Sequence, residues 1–500
     1  MSRVTSLPKE APLLVAAHSC IRRCRAAMVL GIAASVIAGC ASYTPKPIEP
    51  SNTAAVLEQR TLDEPALAQF IEAALPDRAA ASASQNWDLS TLTLAALYFH
   101  PEMEVSRAKL ALARAGVKTA RQIPNPTLSF QPGQYPAMTD VASPWSVGFL
   151  VSFVLEIAGK REKRIEQARN LVEAARQDIA TAAWQVRGGV RSSLLDLWAA
   201  EGRLRLVERR QTVQAQVVTL LEGRFVAGET SALDVARERI NLSQARLSLR
   251  DTERQAAEAR ARLAAALGVP VRAIESVRLS LAAFDRPAET PDVTDLAAGS
   301  LRRKALLERT DVLGLLAEYE AAQSGLRLEV AKQFPNISLG PGYTYDQGFD
   351  LYTFGLSVEL PIFNQNQGPI AEAEARRKEA AARFVALQAK IIGDIDRAIA
   401  SYRGGTRAVA TADTLVQSQI RRRQQIDRAF RLGEVDRLAV LTTDLEQAVI
   451  ELARFEAIVQ QREALALIED ALQHSMFDGG SLYIRLPEKM PAKVQSNARP

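Results

Sequence analysis

Residues 336–345 read NISLGPGYTY and residues 351–360 read LYTFGLSVEL. In the first stretch Ile337, Leu339, Pro341, Tyr343 and Tyr345 alternate with Asn336, Ser338, Gly340, Gly342 and Thr344. In the second, Tyr352, Phe354, Leu356, Val358 and Leu360 alternate with Leu351, Thr353, Gly355, Ser357 and Glu359. A period of two places one apolar and one small-or-polar face on an extended chain, and about ten residues is the length at which a tilted strand crosses a bilayer. An earlier pair is less clean: Leu128 and Phe130, then Phe149, Val151, Phe153 and Leu155, with Leu150 and Val154 interrupting the polar face. The connecting stretches at about 132–144 and 346–350 carry the Pro, Gly and Asp of exposed turns. A soluble, half-buried hairpin shows the same alternation, so the rest of the chain decides between water and lipid. Four strands cannot close by themselves: the smallest membrane barrels use about eight, and lipid does not tolerate an open edge. The membrane reading therefore predicts several copies sharing one barrel.

The strands are embedded in a chain written twice. RFVAGETSALDV from Arg224 recurs in outline as RAFRLGEVDRLAV from Arg428, matching Phe225 to Phe430, Gly228 to Gly433, Leu233 to Leu438 and Val235 to Val440. QIPNPTLSF from Gln122 corresponds in the same order to QFPNISLG from Gln333. This predicts a tandem duplication with one modest insertion. In the first half, helical periodicity runs over about 91–122, Pro124 and Pro126 stop it, and a long helix runs over about 160–222. That helix breaks at Gly223 to Gly228 and resumes over about 231–267, ending before Gly268 and Pro270. The second half repeats the plan: a helix over about 302–333, strands over 336–361, a long helix over 368–431, a break around Gly433 and a helix to about 474. A helix of about 63 residues spans on the order of 95 Å, too long for a compact globule, and the Ala, Arg and Glu richness favours coiled-coil packing. Charged stretches such as RDTERQAAEARAR from Arg250 read as solvated faces.

At the N-terminus, Arg22, Arg23 and Arg25 precede an apolar run of about 13 residues from Ala26 to Ala38, too short to span a bilayer and arranged like an export signal. The run ends in SVIAGCAS at residues 35–42, which resembles the lipobox read by lipoprotein signal peptidase. That resemblance implies cleavage before Cys40, lipid attachment to Cys40 and, with Ala41 rather than Asp next to it, sorting to the outer membrane. Removing residues 1–39 takes away five basic residues and one acid, so the formal charge falls by four, from +5 to about +1. The basic pI then gives no argument for nucleic acid. Cys20 and Cys24 leave with the signal, so Cys40 is the last cysteine and disulfides or cysteine metal sites are excluded. His100 and His474 are the remaining imidazoles and read as surface or interface residues; no HExxH, GxSxG or Walker-type loop occurs. Neither catalysis nor a cofactor is expected. After the signal no apolar stretch reaches 18 residues, so any membrane crossing falls to strands.

Together the lipobox, the twofold repeat, FVLEIAGKREKRIEQA from Phe153, VELPIFNQNQGPIAEAEA from Val358 and the Phe-x-x-Gly turns at Phe225 and Phe430 resemble a TolC-type outer-membrane efflux factor. The two strand-to-helix segments are most similar to the cobalt-zinc-cadmium branch. The resemblance implies a mixed α/β membrane protein with a long α-helical coiled-coil barrel below a transmembrane β-barrel. Each protomer supplies four strands, and a homotrimer closes twelve. On this reading residues 1–39 are the lipoprotein signal and 40–90 the lipid-anchored and equatorial segment. Residues 91–270 form the first repeat, 271–301 an equatorial linker, 302–475 the second repeat and 476–500 an equatorial tail. The implied partners are outer-membrane lipid, a periplasmic adaptor (membrane fusion protein) and an inner-membrane pump of RND type, with heavy-metal cations as cargo and no nucleic acid. Residues Arg224, Phe225, Gly228, Glu229, Thr230 and Ser231 of one tip, with Arg431, Leu432, Gly433, Glu434 and Asp436 of the other, would face the adaptor. Family channels narrow near this end, often at acidic rings, but Ala439 and Thr442 stand where such acids often lie. Asp234, Asp436 and Asp444 remain as candidates for a constriction. The rival class is a lipid-anchored periplasmic coiled-coil scaffold without channel activity.

Overall fold

The computed structural model describes residues 43–75, 86–135, 143–285 and 299–477. The signal segment, Cys40 and the tail beyond residue 477 lie outside the described residues. Of two compact units, the smaller ends at Val56 and contains the start of helix α1 (Pro50–Glu58). The Glu49 carbonyl accepts the Thr53 N–H there at 3.0 Å.

The larger unit begins at Leu57 and carries α2 (Pro65–Ala74), β1 (Asn86–Trp87), α3 (Leu89–Phe99), α4 (Pro101–Ala120), β2 (Thr127–Gln134), β3 (Trp145–Leu155), α5 (Lys160–Val226) and α6 (Ala232–Leu267). It continues with α7 (Val271–Glu275), β4 (Arg278–Leu279), α8 (Ala282–Asp285), α9 (Ser300–Glu308), α10 (Thr310–Ala331), β5 (Ile337–Asp346), β6 (Phe349–Val358), α11 (Gln367–Arg431) and α12 (Arg437–Leu472). Helices α5 and α11 have 67 and 65 residues, each roughly 100 Å long. Gly223 does not break α5; the chain leaves the helix only at the left-handed Gly228.

The short helices lie along the long ones. α4 and α10 pack against the first half of α5, and α6 runs back antiparallel along its second half. The Arg327–Glu166 pair at 3.2 Å ties α10 to α5, and the Arg260–Glu201 and Arg239–Glu222 pairs at 2.9 and 2.7 Å tie α6 to it. α12 lies antiparallel to α5 through Arg203–Glu456 at 2.6 Å and Arg209–Glu451 at 2.7 Å. α11 packs on α12, where Gln419 Nε2 donates to the Thr443 carbonyl at 3.1 Å. Toward the helical turns the neighbours therefore run α6, α5, α12, α11.

Two expected helices are each split. The helix expected over about 91–122 breaks at His100, because Pro101 has no N–H and its ring collides with the carbonyl of the preceding turn. His100 becomes the N-cap of α4, its Nδ1 accepting the Glu102 N–H at 3.3 Å, and burial lowers its pKa, which favours the neutral acceptor form. The helix expected over about 302–333 breaks at Arg309, in extended conformation at ψ 142°. Here the cause is tertiary: the Arg309 guanidinium donates to the Ala471 carbonyl at the end of α12 at 2.6 Å and pairs with Asp311 at 2.7 Å.

One large core forms where the long helices meet the flanking segments. α3 is buried along almost its whole length. Around it gather Leu67 and Phe70 of α2, Leu194 and Leu197 of α5, Leu465 of α12, Ile274, Phe284 and Phe477. Arg60 staples two helix C-termini there, donating to the Phe99 and Gly268 carbonyls at 2.9 and 2.7 Å, where a cation is favoured by the helix dipoles. Arg187 and Arg191 of α5 are buried around Glu469 of α12. Arg191 lies 2.9 Å from Glu469 and 2.6 Å from Asp470, and Arg187 also donates to Ser475 Oγ. Burial works to raise the Glu469 carboxyl, but Arg191, Arg187 and the Met476 N–H override it and hold it below the usual range.

Removing that carboxylate leaves the buried Arg187 without a carboxylate and Arg191 with Asp470 alone. Glu469→Ala should therefore cost about 3–5 kcal/mol, read as earlier loss of the native fold on heating. In the intact protein a carboxyl held low in the folded state stabilises above its unfolded pKa, so this contribution should fade below about pH 5. The native thermal midpoint should fall there more steeply than that of Glu469→Gln. A second site tests packing: Gly202 of α5 faces the Phe455 ring so closely that a Cβ has no room. Gly202→Ala should cost about 1–3 kcal/mol by overpacking, and Phe455→Leu in the same chain should restore part of it.

Candidate functional site

The four longer strands form one antiparallel sheet in the order β2-β3-β5-β6. The register keeps the faces sorted: Ile337 pairs with Val358, Leu339 with Leu356, Pro341 with Phe354 and Tyr343 with Tyr352. On the same face β3 sets Leu155, Phe153 and Phe149 against Ile337, Leu339 and Tyr343, and β2 adds Leu128 and Phe130. Ring pairs Phe130–Phe149 and Tyr343–Tyr352 stack across strands at 5.1 and 5.5 Å. The face lies open: Phe354 is 71% and Leu356 68% exposed.

The opposite face carries Ser338–Ser357, Gly340–Gly355 and Gly342–Thr353. Leu150, which breaks the alternation, has a structural reason. Its Cδ1 lies where a side chain at Gly340 or Gly342 would stand, 3.0 and 3.3 Å from the position of an added Cβ. The two glycines of β5 make room for one leucine of β3. β5 and β6 are joined by Gln347 and Gly348, both at positive φ (52° and 103°), the conformation of the tight two-residue hairpin turn. β2 and β6 form the edges, each with a strand partner on one side among the described residues.

Strand passes to helix by matching devices in the two halves. α5 follows Gly159 at φ 67° and α11 follows Asn366 at φ 66°. Arg164 pairs with Glu156 at 2.7 Å and donates to the Ala120 carbonyl at 3.0 Å, tying β3, α4 and α5 together. In the second half Asn366 Nδ2 donates to the Glu329 carbonyl at 2.7 Å.

At the far end each helical hairpin turns in the same way. The Gly228 N–H donates to the Phe225 carbonyl at 3.0 Å and the Glu229 N–H to that of Arg224 at 2.8 Å. The Gly433 N–H donates to the Phe430 carbonyl at 3.0 Å and the Glu434 N–H to that of Ala429 at 2.9 Å. Both glycines are left-handed, φ 79° and 78°, completing the paired-bond C-cap. Ser231 caps α6 by accepting the Asp234 N–H at 3.1 Å, and Asp436 caps α12 by accepting the Ala439 N–H at 2.9 Å. Arg224 reaches across to Asp436 at 2.7 Å, joining the two turns. Below them Val217, Leu221, Val235 and Leu441 make a small separate core. Phe225, Leu432, Glu229 and Glu434 are exposed, as are Ser231, Arg431 and both glycines, while Thr230 is half-buried.

Each acid considered for a constriction has a local partner. Asp234 accepts the Ser231 hydroxyl at 2.6 Å, which leads the lowering of its pKa. Asp436 is lowered first by the Ala439 N–H and then by Arg224. Asp444 lies half-buried, 2.9 Å from Arg423 Nε. The cross-turn pair was not accessible to sequence reasoning, since nothing in the local pattern links residues so far apart. Asp436→Ala removes a cap and this pair together and should cost about 1–2 kcal/mol. Asp436→Ser should recover most of it, and hydrogen exchange at the start of α12 would show the difference.

The sequence profile of the family described as outer membrane efflux protein matches residues 93–269 and 301–472, well over half of the chain. A pyoverdine export outer membrane protein of Pseudomonas aeruginosa is 27% identical over 65% of this chain and 68% of its own length. The cobalt-zinc-cadmium resistance protein CzcC of Cupriavidus metallidurans is 24% identical over 66% of this chain and 76% of its own. Among solved structures, the outer membrane protein VceC of Vibrio cholerae superposes with a TM-score of 0.62 at 18% identity, over 78% of this chain and 96% of that one. The chain belongs to the outer membrane efflux protein family, whose members are transport conduits and not enzymes.

Proposed function

We propose that three copies of this chain close one twelve-stranded barrel in the outer membrane above a tunnel of twelve helices, forming the passive exit channel of a tripartite efflux system. One observation carries this reading: a four-stranded sheet with an apolar face open on one side and, among the described residues, an unpaired edge at β2 and at β6. In lipid each unmade backbone hydrogen bond costs several kcal/mol, and pairing β6 of one copy with β2 of the next removes the edges. The two halves are read as tandem copies, supported by the shared caps at Gly228 and Gly433 and the shared left-handed entry at Gly159 and Asn366. Cys40 is the proposed lipid attachment point. The two turns are the proposed docking end for a periplasmic adaptor and, through it, an RND-type inner-membrane pump that supplies the energy.

Heavy-metal cations are the proposed cargo, supported by the strand-to-helix segments and the cobalt-zinc-cadmium resistance relative. Among the described residues of one copy no group of three or more His, Cys, Asp or Glu could hold a metal. The pyoverdine export relative supports organic cargo as the second reading.

Purified protein should run as a heat-modifiable trimer and give stepwise ion conductance in planar bilayers. Phe354→Arg and Leu356→Arg, on the open apolar face, should each impair barrel insertion, because an arginine at mid-bilayer depth costs about 2–4 kcal/mol per copy. A soluble, non-conducting monomer would return the scaffold reading. Deleting the gene should sensitise cells to cobalt, zinc or cadmium; unchanged metal tolerance with impaired export of an organic chelator would select the second cargo.

A further inference from the structure

Helices α10 and α12 share one slot between α5 and α11 and meet there end to end. Gln473, left-handed at φ 48°, ends α12, and its Oε1 accepts the Thr310 N–H that opens α10 at 3.0 Å. The joint leaves the slot unfilled. A cavity of about 470 Å³ remains, room for on the order of fifteen water molecules. Gly188 and Gly189 of α5 form its floor, and Lys390, Asp394 and Arg397 of α11 line its far wall beside Asp470 of α12. All of its lining belongs to one copy, so no neighbouring chain is needed to build it.

The floor is open for no packing reason. A pair of glycines is unfavourable inside a helix, where any side chain would restrict the unfolded chain more. Gly188 is accounted for, since a Cβ there would stand 3.2 Å from Asp470 Oδ1. A Cβ at Gly189 would meet nothing within 4 Å. A large side chain at Gly189 would instead occupy the cavity that this residue lines.

The charges of the joint have a definite sign. Each carboxylate is already held: Glu469 by Arg187 and Arg191, Asp470 by Arg191, Asp311 by Arg309, and Asp394 by Lys390 and Arg397. Five cations thus face four carboxylates. The Lys390 and Arg397 side chains are both 71% exposed, and each makes one hydrogen bond, to Asp394, at 3.2 and 2.6 Å. An ammonium carries three donors and a guanidinium five, so most of theirs remain available. The site offers donors to an acceptor and no free carboxylate to a cation.

The cavity also lies on the side of the helices away from the large core. Val186 and Val190 of α5 and Ile391 and Ile395 of α11 pack into the core, while Gly188, Gly189, Lys390 and Asp394 line the cavity. Nothing from α2, α3 or α8 lines it. In a closed ring of helices those flanking segments lie outside, because inside they would plug the bore, and the cavity then opens into the tunnel.

We propose that this cavity binds a small organic polycarboxylate in transit, with Lys390 and Arg397 holding its oxyanions and Gly189 leaving space for its body. The inference deepens the channel reading by giving organic cargo a chemistry and a place on the wall, and it rests on that reading.

The test is titration calorimetry on the full-length protein in detergent, with citrate as the probe. Citrate should bind saturably, and added salt should weaken it. Inorganic phosphate, which reaches the cations but cannot fill the cavity, should bind at least about tenfold more weakly, and the polycation spermidine should not bind. Gly189→Phe should abolish citrate binding, and the double variant Lys390→Glu, Arg397→Glu should weaken it at least about tenfold. Should Gly189→Phe fail to fold, the charge variant decides. No citrate binding, equal binding of phosphate, binding of spermidine, or citrate binding that neither variant changes overturns the proposal. In planar bilayers citrate should lower the current of the parent and leave that of Gly189→Phe unchanged. A conducting parent that binds citrate without loss of current removes the cavity from the tunnel and overturns the transit role. A protein that binds citrate but never conducts sinks the channel reading and leaves the binding site standing.

Discussion

The backbone of a strand placed in lipid has nowhere to send its hydrogen bonds except to another strand, and this accounting governs the rest of the molecule. Among the described residues the sheet leaves β2 and β6 each with one unserved side, and on the proposed reading its apolar face meets lipid. The two conditions pull in the same direction. A face that wants the bilayer makes the open edge intolerable, and an edge that needs a partner gives identical copies a reason to assemble. The two-residue turn at Gln347 and Gly348 fits this design, since it joins β5 and β6 without leaving polar backbone outside the ladder.

Below the strands the constraint changes from hydrogen bonding to packing. Helices as long as α5 and α11 present far more surface than one apolar stripe can cover, and many cross-helix ion pairs here are half-exposed, worth about 0–1 kcal/mol each. Close approach supplies specificity instead. Gly202 admits the Phe455 ring between α5 and α12, and Gly405 brings α11 onto the Gln461 backbone of α12. The buried Arg187, Arg191 and Glu469 group fixes which turn of α5 faces which turn of α12, because any shift in register leaves a charge unpaired where water cannot reach it. Register at the core then sets register at the turns, where Arg224 meets Asp436.

These levels differ in how far the sequence displays them. The alternation in 336–345 and 351–360 is local, and it emerges as strands with the expected residues on each face. The glycine turns are equally local, because only a left-handed residue closes the paired-bond cap. Leu150 violates its own strand's pattern and makes sense only beside Gly340 and Gly342, partners chosen by pairing with β5. Pro101 carries a local signal that helical periodicity overrode in the reading of 91–122. The break at Arg309 has no such signal, since its cause is a carbonyl at the end of α12. The acids weighed for a constriction could be found by composition, but their engagement by Ser231, Arg224 and Arg423 could not.

The tandem-copy reading also clarifies why the turns are tied once and not twice. Arg224 and Asp436 each have a counterpart at the matched position of the other half, and those counterparts are Ala429 and Ser231. Both caps still work, because serine and aspartate accept an N–H equally well. Of these positions, Arg224 and Asp436 are the two that bring opposite charges together. Within one copy the two turns are therefore held against each other at the helical end.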